Sequence, residues 1–145
     1  MQAVLEAGAL LGVAIVAVMA HEAAHYAVAL AAGDTPSLRI TTDHAILPSP
    51  AVNVEPIRYT PTTFRVLNLA PLALCLPALA VGLSPWGPGL LTLGAGYDSA
   101  MLAMWVLGTV PSPPDWWNAY YASNLDTWHA VRNGDHPTHA AAEGY

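Results

Sequence analysis

Three apolar segments dominate the chain and are separated by shorter polar stretches. Residues 3–32 are almost wholly apolar, and residues 66–83 and 90–110 repeat the pattern, the last with Asp98 as its only charge. A helix formed by the first segment would be about 45 Å long, which exceeds a hydrocarbon core of about 30 Å. The pattern therefore predicts an all-α membrane protein with about three transmembrane helices.

The polar stretch between the first two apolar segments predicts a short β-hairpin. Residues 38–42 and 51–55 contain β-branched side chains and flank a Pro-Ser-Pro break at 48–50. Farther on, a proline-rich stretch and two tryptophans end the apolar sequence. We expect a membrane domain over residues 1–118 and a polar C-terminal tail over residues 119–145.

The composition is typical of an integral membrane protein. Hydrophobic residues make up 54% of the chain and charged residues 10%, whereas soluble domains have about 25% charged residues. Four arginines, no lysine and ten acidic residues give a net charge of -6, which disfavours nucleic acid as a partner. The apolar composition favours the lipid bilayer instead.

The basic residues predict a topology. Three arginines lie between the first two apolar segments and the fourth lies in the tail, so the positive-inside rule places both regions in the cytoplasm. No basic residue precedes the first apolar segment, which favours a retained span over a signal peptide. We expect a multi-pass protein of the cell membrane with a cytoplasmic C-terminus.

The first apolar segment contains a metal-binding motif. His21-Glu22-Ala23-Ala24-His25 places two imidazoles on one helical face, where they can bind one Zn²⁺, with Glu22 beside it as general base. The alternative, two neutral core histidines, leaves a buried Glu22 without a partner. The only cysteine, Cys75, excludes a cysteine-based zinc site.

A catalytic zinc usually has three protein ligands, so one more is needed. The candidates are acids and histidines elsewhere in the chain: Asp43, His44, Asp98, Asp115, His129, His136 and His139. Asp98 is favoured because His21 and Asp98 each precede the end of their apolar segment by about eleven or twelve residues, which implies equal depth. Asp115 is the second choice, and a purely structural Asp98 is a further alternative.

Two other polar residues could stabilise charge on a carbonyl oxygen. Asn68 opens the second apolar segment, and Tyr97 directly precedes Asp98. Each offers a hydrogen-bond donor if its helix faces the zinc. The alternative for each is an ordinary structural contact between helices.

Separated pieces of the chain together resemble a known family. They are the motif at 21–25, Asn68-Leu69-Ala70-Pro71, the stretch Leu93-Gly94-Ala95-Gly96-Tyr97-Asp98, and Asp115-Trp116-Trp117. In order and spacing, over about residues 10–118, the chain resembles small membrane peptidases of the zincin type, which are similar in logic to the site-2 class of intramembrane metalloproteases. The resemblance implies a three-span fold with Asp98 as the third zinc ligand.

The combined features predict a zinc-dependent intramembrane or juxtamembrane endopeptidase that cleaves membrane-anchored protein substrates. A substrate helix must unwind before cleavage, and the hairpin could hold the extended segment by strand addition. The alternative is a non-catalytic metal-binding membrane adaptor or chaperone. A metal transporter would need a second charged site along a path. No pattern in the chain fixes an oligomeric state.

Overall fold

The chain is mostly helical with one small sheet in the computed structural model, which describes residues 1–41, 49–54, 58–85 and 96–124. The elements, in order, are α1 (Gln2–Ala31), β1 (Ser37–Thr41), β2 (Ser49–Asn53), α2 (Pro61–Leu69), α3 (Leu72–Leu83), α4 (Tyr97–Thr109), α5 (Pro113–Tyr121) and a 3₁₀ turn (Ala122–Asn124).

Helix α1 buries one narrow stripe and exposes most of its remaining apolar surface. Ala17, His21, His25 and Ala29 are buried at four-residue spacing, which is one face of a helix. Exposed apolar side chains on the other faces include Val4, Leu5, Leu11, Ile15, Val16 and Met19. A helix that is apolar all round suits a hydrocarbon environment better than water.

Helix α4 packs beside the first part of α1 and runs parallel to it. The Tyr97 hydroxyl donates to the Glu6 carbonyl at 3.4 Å. Gly108 lies against Ala17, so close that a Cβ on the glycine would come within 2.6 Å of the alanine Cβ. Both contacts join residues 91 apart in the sequence. The same offset places Thr109, the last residue of α4, beside residue 18 of α1. Helix α1 continues for about 20 Å beyond that level.

The last turns of α1 are covered by a different set of elements. Ala29 belongs to a core cluster with Tyr59, Phe64, Leu67 and Ala122, which come from α2, the segment before it and the 3₁₀ turn. The end of α1 that carries the histidines is therefore enclosed by protein, whereas its first half is not.

The chain reverses after α1 at a glycine. Gly33 has φ 83°, in the left-handed region that glycine adopts without strain. Asp34 follows, accepts a hydrogen bond from the Tyr59 hydroxyl at 2.5 Å and lies 3.3 Å from Arg58. These contacts attach the end of α1 to the segment that leads into α2.

The predicted hairpin is confirmed. β1 and β2 are antiparallel, and their register pairs Leu38 with Val52 and Ile40 with Pro50. Both strands begin earlier than the β-branched pattern indicates. Strand β1 begins at Ser37, which pairs with Asn53, and strand β2 begins at Ser49, which pairs with Thr41.

Three transmembrane helices are not supported by the ranges that the structure describes. Only α1 is long and apolar enough to cross a membrane by itself. The second apolar segment divides into α2 and α3, whose axes differ by 44°. These two helices are long enough for a second span only if they cross the membrane together as one broken helix. Helix α4 has 13 residues, and positions 90–95 of the third predicted span lie outside the described residues.

The expectation of a multi-pass protein was therefore too specific. One apolar helix near the N-terminus is weak support for a membrane protein, since a signal sequence passes the same test of length and composition. The pattern missed the break at Pro71 because a proline interrupts the helical hydrogen bonds without changing the apolar character of the segment.

The proline-rich stretch after α4 forms an ordered helix, α5. Ser112 is its N-cap, and Pro113 follows at a position where the missing amide hydrogen costs nothing. The predicted domain boundary at residue 118 falls inside α5, and residues 125–145 of the predicted tail lie outside the described part of the chain.

Candidate metal centre

The two histidines of the motif face each other on α1. His21 and His25 are 7% and 6% exposed, and their Nε2 atoms lie 3.1 Å apart. Their rings meet edge to face with centroids 4.8 Å apart. One turn of helix thus directs both Nε2 atoms to the same point, as the spacing predicts.

A hydrogen bond to α2 fixes the tautomer of His25. Its Nδ1 lies 2.7 Å from the Leu67 carbonyl oxygen, which can only accept, so Nδ1 carries the proton. In the neutral ring the lone pair is then on Nε2, directed toward His21. An outer hydrogen bond of this kind commonly orients a metal-binding histidine.

Asp115 of α5 completes a three-residue group with the histidines. Its Oδ2 lies 3.3 Å from His21 Nε2, and its Oδ1 lies 3.5 Å from His25 Nε2. The carboxylate is 14% exposed. Among the described residues, His21, His25 and Asp115 form the group that could hold a metal ion.

Ser112 holds the carboxylate of Asp115 in place. The Ser112 amide and hydroxyl both donate to Asp115 Oδ2, at 2.7 and 2.6 Å, and the Asp115 amide donates to Ser112 Oγ. This reciprocal capping box begins α5 and orients the side chain. Burial disfavours ionisation of Asp115, but the neighbouring His21 and His25 rings and the hydrogen bonds from Ser112 outweigh it and lower its pKa below the usual range.

The donor set suits zinc. The Nε2 atoms of His21 and His25 lie 3.1 Å apart, close to the roughly 3.3–3.4 Å expected for two ligands in a tetrahedral zinc site. Asp115 approaches His21 through Oδ2 and His25 through Oδ1, and with one atom taken from each residue the three atoms lie within 4.8 Å of one another. Two imidazoles and one carboxylate leave a fourth position, which is the pattern of catalytic zinc sites.

The structure does not bring Asp98 to this group, contrary to the sequence-based expectation. Asp98 lies in the first turn of α4, next to Tyr97, whose hydroxyl contacts Glu6. Glu6 precedes His21 by fifteen residues, about 22 Å along α1. A carboxylate in the first turn of a helix interacts favourably with the helix dipole, as Asp98 does without any metal.

The depth argument failed because the two helices do not end at the same level. It took the ends of the first and third apolar segments as aligned, but α1 extends well past α4. The carboxylate at the level of the histidines therefore comes from the next element, α5, where Asp115 is the candidate ranked second from the sequence.

Glu22 lies beside the metal-binding group. Its side chain is 15% exposed, with Oε1 4.0 Å from His21 Nε2. The other oxygen, Oε2, accepts a hydrogen bond from the backbone amide of Val52 in β2 at 2.9 Å. The half-buried carboxylate thus has a partner without a metal, which removes the objection raised from the sequence to the alternative of two neutral core histidines.

A cavity of 680 Å³ opens onto this group. Its walls come from α1, β2, α2 and α5, and they include His21, Glu22, His25, residues 50–54, Phe64, Leu67, Asn68, 112–115 and Asn118. The volume suits a short peptide segment or a comparable ligand.

Of the two predicted auxiliary donors, only Asn68 lies at the cavity. Asn68 is buried, and its Nδ2 donates to the Phe64 carbonyl at 2.8 Å. Tyr97 is remote, as its contact with Glu6 shows. Sequence reasoning did not single out Ser112 or Asn118. The Ser-x-x-Asp spacing of the capping box could have indicated the former.

The remaining ligand candidates, Asp43, His44, His129, His136 and His139, lie outside the described residues.

No protein-family model, curated protein or solved structure matches the chain. The resemblance to zincin-type membrane peptidases stays a prediction.

Proposed function

We propose that the protein is a zinc-dependent endopeptidase that cleaves membrane-anchored substrates in or next to the bilayer. The observation that carries the proposal is the buried group of His21, His25 and Asp115, with the Glu22 carboxylate beside it and a cavity in front of it. Two neutral imidazoles, one carboxylate and an adjacent second carboxylate are the components of a zinc hydrolase.

In this proposal His21, His25 and Asp115 hold the zinc ion. The ion supplies a Lewis acid that polarises the scissile carbonyl and lowers the pKa of an attacking water molecule. Leu67 and Ser112 act on the ligands themselves, because their hydrogen bonds orient His25 and Asp115.

Glu22 is the proposed catalytic base. Its Oε1 faces the ligand group while Oε2 is anchored to Val52. A carboxylate in that position can take a proton from the attacking water and transfer it to the leaving amide nitrogen. Asn68 lines the same cavity and can bind the substrate backbone through the part of its amide group not donated to Phe64.

Strand β2 forms one wall of the cavity. Residues 50–54 line it beside the ligand group, and because the outward amide of Val52 is donated to Glu22 and Pro50 has none, a substrate segment on this wall would pair with backbone carbonyls only. A membrane-anchored substrate agrees with the exposed apolar surface of α1 on the other side of the same helix.

The test compares two glutamates of α1 in the purified protein. Glu22→Gln keeps an oxygen that can accept from Val52 but cannot take a proton, so zinc content should be unchanged and hydrolysis of a membrane-anchored peptide should fall about 10²–10⁴-fold. Glu6→Gln, remote from the site, should resemble wild type. Wild-type turnover by Glu22→Gln would refute the assigned base. Zinc binding without hydrolysis by wild type would favour the adaptor alternative.

A further inference from the structure

Strand β2 contributes a backbone amide to the metal centre. The Val52 amide donates to Glu22 Oε2 at 2.9 Å, across thirty residues of sequence and between two different elements. The second oxygen of Glu22 lies 4.0 Å from His21 Nε2. A carboxylate anchored through one oxygen presents the other in a fixed direction, here toward the ligand group.

The hairpin register explains why this amide is available. In antiparallel strands, backbone amides alternate between facing the partner strand and facing away from it. The amide of Val52 goes to Glu22, so at the Leu38–Val52 pair it faces away from β1. Pro50 lies two residues earlier and has the same orientation, where the lack of an amide hydrogen costs no bond to β1.

We infer that Val52 is a positioning residue for Glu22, acting through its backbone amide and not through its side chain. This inference rests on the proposed function for its effect on hydrolysis. It implies that any residue with an amide hydrogen serves at position 52, and that proline does not. The hairpin is then part of the reaction centre, because it sets the direction of the proposed base.

The competing explanation is that the hydrogen bond only attaches the hairpin to α1. Three variants distinguish the positioning of Glu22 from simple attachment of the hairpin. Val52→Pro removes the amide hydrogen without removing a bond to β1, and Val52→Ala removes the side chain and keeps the amide. Ala51→Pro removes an amide that faces β1, so it reports the effect of a damaged hairpin.

The first measurement does not need activity. In wild type the Val52 amide proton should exchange slowly and resonate downfield, and both properties should be lost in Glu22→Ala. An amide resonance of Val52 that is unchanged in Glu22→Ala would overturn the inference. This result stands whether or not the protein hydrolyses peptides, so it is independent of the proposed function.

The second measurement is kinetic. Val52→Pro should lower kcat about 10–100-fold with KM and zinc affinity within about twofold of wild type, as for loss of an outer orienting partner, and Val52→Ala should resemble wild type. Equal decreases of kcat in Val52→Pro and Val52→Ala would identify a structural role and overturn the inference. So would a decrease of kcat in Val52→Pro that is matched by weaker zinc binding.

Discussion

At the scale of single residues, Asp34 and Tyr59 connect the end of α1 to the segment before α2. Tyr59 is 3% exposed, and its hydroxyl donates to the Asp34 carboxylate. This hydrogen bond is the main cause that lowers the pKa of Asp34, with help from the Thr35 amide and Arg58. Burial, followed by the bond to Asp34, raises the pKa of Tyr59. The pair therefore favours ionised Asp34 and neutral Tyr59.

Tyr59→Phe should lower the thermal unfolding midpoint in a pH-dependent way. Because the pKa of Asp34 is lowered on folding, its stabilising contribution is present above the unfolded value of about 3.9 and is lost as pH falls through the folded value. The difference from wild type should be larger at neutral pH than near pH 3. Tyr120→Phe, at an exposed position, is the control. A difference independent of pH would exclude the hydrogen bond as its cause.

Residues of the site differ in how far sequence reasoning could reach them. His21, Glu22 and His25 share one helix, so the 3.6-residue period is enough to bring them together. Asp98 and Asp115 could be ranked only from the relative level of separate helices, which sequence does not contain. The contact of Val52 with Glu22 is made by a backbone amide, and no residue type marks it.

At the scale of elements, the approach of α4 to α1 depends on one glycine. A Cβ at Gly108 would meet the Ala17 Cβ at 2.6 Å, and Ala17 is fully buried on the helix that carries the histidines. Gly12, by contrast, has nothing within 4 Å of its Cβ position. Gly108 of α4 is thus tightly packed against α1, whereas Gly12 of α1 has open space around its Cβ position.

Gly108→Ala should lower the thermal unfolding midpoint, because the backbones must separate to accommodate the methyl group. Gly12→Ala should raise it or leave it unchanged, since alanine is favoured over glycine within a helix by about 1 kcal/mol. The comparison is made in the same detergent or lipid. Equal midpoints in the two variants would contradict the packing of α4 on α1.

The elements also show what the hydrophobic pattern can and cannot predict. The hairpin was predictable because β-branched residues are a local signal, but the Pro-Ser-Pro stretch did not mark the break between the strands, since Ser49 and Pro50 belong to β2. The division of the second apolar segment into α2 and α3 was not, since apolarity is the same on both sides of the bend. Helix α5 was missed because its prolines suggested irregular structure, although Pro113 stands at a favourable first position.

At the scale of the whole molecule, α1 has two surroundings. Its first half exposes apolar side chains and has α4 on one side, and its last turns are enclosed by β2, α2 and the 3₁₀ turn. The candidate metal site of His21, His25 and Asp115 lies at the boundary between the exposed part and the enclosed part of α1. If the first half lies in a bilayer, the site is near the boundary of the hydrocarbon core, and the proposed cleavage would take place close to the membrane surface.

Tryptophan quenching by brominated lipids tests this placement in reconstituted vesicles. Trp105 lies on α4 and donates to the Leu74 carbonyl of α3, so a variant that retains only this tryptophan should be quenched best by deep bromines. A variant that retains only Trp116 and Trp117, which are exposed on α5, should be quenched best by shallow bromines. Absence of quenching in both would contradict insertion of this part of the molecule.

The zinc affinities of Asp115→Ala and Asp98→Ala, measured on folded protein, test the metal centre most directly. Loss of an outer partner costs about 10–100-fold in metal affinity, so loss of a direct ligand in Asp115→Ala should cost more than about a hundredfold. Asp98→Ala, with its carboxylate about 20 Å away along α1, should bind zinc as wild type does. Wild-type affinity in Asp115→Ala, or a large loss in Asp98→Ala, would contradict a zinc site formed by His21, His25 and Asp115.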